Sequence, residues 1–121
     1  MKTADIPPGP LLAYWVARAC NFKNPGIEER GCYYEVGEGM DTAFDPHSDW
    51  SDCGPLTVLH KITYWFYDHG VGPWHARKSL DAEHFQECLE DAGIQSGPTP
   101  LIAVCRAVVA SVFGEEVDDE K

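Results

Sequence analysis

Apolar residues recur at helical spacing early in the chain, where Leu11, Leu12, Trp15, Val16 and Ala19 share one face. Pro10 closes the cluster Pro7-Pro8-Gly9-Pro10 and suits a first helical turn. Arg18 falls where a cation complements the helix dipole, so a helix is predicted over 10–20, stopped before Asn24-Pro25-Gly26. Residues 24–31 are polar and turn-rich. Cys32-Tyr33-Tyr34-Glu35-Val36 has strand composition between Gly31 and Gly37, and 37–48 reads as loop. Ser48-Asp49-Trp50-Ser51-Asp52 offers several N-caps. If Asp49 caps, Pro55 lies inside the following helix and kinks it; if Asp52 or Cys53 caps, Pro55 sits in the first turn. Either way a helix through about Lys61 leads into a strand over 62–67.

Trp74 to Lys78 reads as the second strand of a hairpin, across a loop longer than the tight two-residue type. Residues 81–92 carry Phe85, Leu89 and Ala92 on one face, a helix capped by Asp81 and ended by Gly93. The strongest local pattern comes last. Thr99 caps, Pro100 opens, and Leu101, Ile102, Val104, Cys105, Val108, Val109 and Val112 cover nearly the whole circumference before Gly114. A helix apolar on most sides is a buried one. The chain is therefore expected to be α+β, a small antiparallel sheet packed by helices. The expected organisation is a single domain over 1–114 followed by an acidic C-terminal tail over 115–121.

Composition narrows the setting. At 121 residues the chain is long enough to bury a core without disulfides or a metal. Five cysteines, none closer than 12 residues to another, and no charged-then-apolar leader point to reduced thiols in the cytoplasm. No apolar stretch approaches the ~20 residues that span a bilayer. Net charge is −11, of which the last seven residues carry −4, so the body is itself acidic. Nine scattered basic residues, with Arg77-Lys78 the only adjacent pair, argue against direct nucleic-acid binding.

Three segments read together resemble a known family. They are Leu12-Ala13-Tyr14-Trp15-Val16-Ala17-Arg18-Ala19, the run from Phe44-Asp45-Pro46-His47 through Asp49-Trp50 to Gly54-Pro55, and Gly97-Pro98-Thr99-Pro100-Leu101-Ile102-Ala103-Val104-Cys105-Arg106 with its continuation to Val117. Trp74 and Ala76 fit the tryptophan-x-alanine strand between them. The chain resembles the NinX-like family of small tailed-phage and prophage proteins, a family of unknown function. The resemblance implies a phage-derived protein of the bacterial cytoplasm and α/β/α sandwich-like layering. It implies no reaction. His47, Cys53 and the 79–95 insert depart from the family pattern and take no role from it.

The candidate chemistry is thin. No histidine–cysteine spacing fits a metal site, and no phosphate loop survives inspection. His47 and Cys53 read as solvated loop residues. Asp68, His69 and His75 gather at the hairpin end without a nucleophile beside them. Candidate binding residues are Asp49, Trp50, His69, His75 and Arg106. Asp49 and Trp50 also read as a helix cap and its staple to the core. Arg106, a cation on a buried helix, must reach an acid or solvent. Tyr64, Trp65, Phe66, Tyr67 and Trp74 make an aromatic hairpin, half facing the core and half free to meet a partner. The leading expectation is a non-enzymatic accessory protein that engages an unknown phage or host protein, with no cofactor and no membrane. The alternatives are a small-ligand binder or enzyme with a pocket near the 68–75 loop, and an acidic DNA mimic.

Overall fold

The computed structural model describes residues 1–29, 31–67, 73–78 and 94–117. The hairpin loop with Asp68 and His69, and the helix expected over 81–92, lie outside the described residues. Helix α1 (Pro10–Ala19) buries Leu12, Ala13, Trp15, Val16 and Ala17. It stops earlier than Asn24-Pro25-Gly26, because Asn21 adopts φ 60. Phe22 N–H then donates to the Ala17 carbonyl at 3.0 Å and Asn21 N–H to the Arg18 carbonyl at 3.1 Å. This is the paired closure of a Schellman end, with asparagine in the left-handed position.

Strands β1 (Lys23–Glu28), β2 (Gly31–Gly37) and β3 (Met40–Ala43) form an antiparallel sheet in that order. The turn-rich reading of 24–31 and the loop reading of 37–48 are corrected here. β1 accommodates Pro25 because it is an edge strand and its register shifts between Lys23 and Gly26, where a missing N–H costs no ladder bond. β3 escaped notice because three of its four side chains are exposed, which erases the period-two signal. Gly39 turns the chain into it at φ 69, a backbone conformation other residues adopt at a cost. Phe22 stacks on Tyr34 at 4.3 Å between centroids, and both meet Phe44 edge-on at 5.4 Å, tying the sheet to the end of α1.

Helix α2 (Trp50–Leu59) is capped by Asp49, whose Oδ1 accepts from Ser51 N–H at 2.9 Å. Of the three caps the sequence allows, this one places Pro55 inside the helix, on its exposed side. The helix ends at Leu59, short of Lys61, where Lys61 turns the chain at φ 55. β4 (Ile62–Phe66) and β5 (Trp74–Lys78) pair antiparallel from Ile62↔Lys78 to Phe66↔Trp74, and the short β6 (Gln95–Gly97) adds to β5. Helix α3 (Pro100–Phe113) is capped by Thr99 Oγ1, which accepts from Ile102 N–H at 3.2 Å. It is buried over most of its surface, as its composition requires.

The α+β class holds, with the sheet element split in two. α1 packs on the first sheet and on α3, and α3 packs on all three strands of the second. Leu12, Val16, Val104, Val108 and Val109 are fully buried at this junction, each contributing about 1.5–3 kcal/mol. β6 runs hard against the first turn of α3. A Cβ on Gly97 would lie 2.8 Å from Ile102 Cγ2 and 3.1 Å from the Ala103 nitrogen. Beyond α3 the chain does not leave the fold at residue 115. Thr3 N–H donates to the Glu115 carbonyl at 2.7 Å, Lys2 bridges Glu116, and Val117 is buried. The N-terminal segment supplies a backbone partner that no local reading of 115–117 reveals. Among the described residues no helix is long and apolar enough to cross a membrane.

Candidate functional site

The candidate residues scatter over the fold. Asp49 serves as the α2 cap, and its two bonds from Ser51 hold its carboxyl below the usual carboxylate range. Trp50 does not staple the helix to the core. It is 47 % exposed and lies along the helix over Gly54, where a Cβ would come within 3.1 Å of its Nε1. His75 stacks on Trp65 at 5.8 Å and its Nε2 lies 3.3 Å from the Tyr67 carbonyl. Its neighbour Ala76 is the fully buried residue of the strand, so strand alternation turns His75 to the face away from α3. Arg106 stands on α3, on the opposite side of that sheet, and the two do not meet. His69 lies outside the described residues.

Arg106 is half-buried, and among the described residues its guanidinium is held by backbone carbonyls rather than by an acid. Its Nη1 donates to the Ser96 carbonyl at 2.8 Å and its Nη2 to the Ile6 carbonyl at 3.0 Å. Burial lowers its affinity for the proton, and Asp5 offsets part of that. The guanidinium thereby joins β6, α3 and the N-terminal segment through backbone groups, a link with no sequence signature. Cys53, expected on a solvated loop, is fully buried and faces Cys105 on α3. His47 is half-buried after the fully buried Pro46, with Nδ1 unpaired among the described residues.

A contact without any linear signature, Cys20 Sγ to His60 Nε2 at 3.4 Å, unites the ends of α1 and α2. Burial pushes the Cys20 thiol up to about 11, and burial together with Lys78 lowers His60, so the surroundings of both favour the neutral forms. No group of three or more metal-ligating side chains gathers among the described residues.

The feature that does gather is aromatic. Trp50 meets Tyr64 at 6.0 Å, Tyr64 meets Trp74 at 6.4 Å, and Trp74 meets Phe66 at 5.2 Å. The expected division of the hairpin into a buried and an open half is not what forms. Ile62 and Ala76 fill the core side of the sheet, while Tyr64 and Phe66 on that same side run out beyond it and are exposed. α2 continues the patch. Trp50, Gly54 and Val58 stand four residues apart on one stripe, and Val58 and Leu59 are 79 % and 64 % exposed. The helix buries only Cys53 and Leu56, so much of its apolar surface points outward. That stripe is legible as an i, i+4 pattern, but Leu56 and Leu59 of the same helix keep a helical period of their own that competes for the core-facing side.

A family model described as Bacteriophage P22, NinX matches residues 2–112. No curated protein matches the chain.

Proposed function

We propose that this chain, which belongs to the Bacteriophage P22 NinX family, is a non-enzymatic phage accessory protein of the host cytoplasm that binds another protein through α2 and the β4–β5 hairpin. One observation carries the reading. The outward stripe of α2 is continuous, through the Trp50–Tyr64 contact, with the ring series that ends at Phe66. Exposed apolar patches of this kind mark interaction sites, and tryptophan and tyrosine concentrate in the energetic centre of protein interfaces. The acidic body keeps such a surface soluble and favours a partner whose rim is basic.

Photocrosslinking in infected cells tests this. A crosslinking residue at position 66 or 58 should capture one defined protein, and the same residue at Met40, on the first sheet, should not. Trp50→Ala combined with Phe66→Ala should abolish the capture. Equal capture from position 40, or none from 58 and 66, would remove the proposal.

A further inference from the structure

A second site lies elsewhere, at the far end of α3, about 20 Å along that helix from its first turn. The residues lining an open groove of about 600 Å³ include Tyr14, Arg18, Asn21, Phe22 and Phe113. That volume falls within the range of small-molecule sites. The Arg18 guanidinium is held 4.8 Å over the Trp15 ring, 5.9 Å from Tyr14 and 5.8 Å from Phe113. Arg18 is itself exposed at the surface of α1, so its N–H groups are within reach of a ligand in the groove. Among the described residues Arg18 makes no hydrogen bond or ion pair. The end of α1 makes no demand on it either, because Asn21 and Phe22 N–H already cap the Arg18 and Ala17 carbonyls. Asn21, at φ 60, lines the same groove.

The geometry points to a binding site for a small aromatic oxyanion, a carboxylate or phosphate borne on a planar ring. The fork of Arg18 takes the two oxygens in parallel, Asn21 donates a further hydrogen bond, and Tyr14, Phe22 and Phe113 cover the ring. The fixed fork matters because a chain of net charge −11 repels anions at long range. Only a localised, bidentate contact selects one. This site is independent of the protein-binding face.

The test is an amide-shift titration of the full chain with phenyl phosphate and benzoate, using benzyl alcohol and inorganic phosphate as controls. Saturable shifts confined to residues near 14–24 and 110–114 are expected for at least one aromatic oxyanion. The tighter of the two identifies the anionic group. Both controls should bind at least about tenfold more weakly. Arg18→Gln should cost about tenfold or more, and Arg18→Lys, which keeps charge but loses the fork, should fall between. No saturable shift below ~10 mM, equal binding of inorganic phosphate, or full affinity in Arg18→Gln would overturn the assignment. Should Arg18→Gln disturb the spectrum elsewhere, the lysine variant and the ring-free control decide.

Discussion

Single residues account for several tight points of this fold. Gly97 has no room for a side chain, so Gly97→Ala should destabilise by about 1–3 kcal/mol, read as a lowered urea midpoint. Cys20 and Cys32 are both pushed up to about 11 by burial, with Asp45 adding to the effect at Cys32. At pH 8 their thiolate population is then about a hundredfold below that of a thiol near 9. Peptide mapping after brief alkylation should find both unmodified in the folded chain and modified in urea. His60 gives the molecule a pH dependence of known sign. Its folded pKa is depressed, by burial first and Lys78 second, so the unfolded chain binds its proton more readily. His60's contribution is therefore fully present above about pH 6.5 and lost as pH falls through the folded-state value. The urea midpoint should fall from pH 7.5 to pH 5.5, and His60→Gln should flatten part of that slope.

At the scale of elements, the helix ends follow local chemistry closely. Thr99→Ala should cost about 1 kcal/mol by removing the α3 cap, measurable in the same unfolding curves. α1 and α3 were legible because their apolar residues recur at the helical period and cover a wide arc. β2, β4 and β5 were legible from β-branched and aromatic runs between turn residues. β1, β3 and β6 were not. Each is short or exposed, and a strand without a buried face carries no alternation. What makes them strands is the partner beside them, whether β2 for β1 and β3 or β5 for β6.

For the whole molecule, the distribution of apolar surface separates stability from recognition. Leu12→Ala, at the α1–α3 junction, should cost about 2–5 kcal/mol. Val58→Glu with Leu59→Glu should leave the unfolding midpoint within the small range expected of surface changes and remove capture of the partner. Equal loss of stability in both variants would show the α2 stripe to be core, contrary to its exposure.

The amino-acid sequence by itself determined the α+β class, the two strongest helices, the hairpin, the acidity of the body and the family. These reside in periodicity, composition and linear motif, which survive without a partner. The tertiary structure alone decided which helix faces were inside. Leu56 and Leu59 have equal hydrophobicity, and only the docking of α2 against α3 and β4 buries one and exposes the other. It also decided that Arg106 bonds to backbone carbonyls 10 and 100 residues away, that Cys53 is core, and that exposed Arg18 stands beside the rings of Tyr14, Trp15 and Phe113. Each depends on contacts between distant segments, and burial is a property of those contacts rather than of the residues that make them.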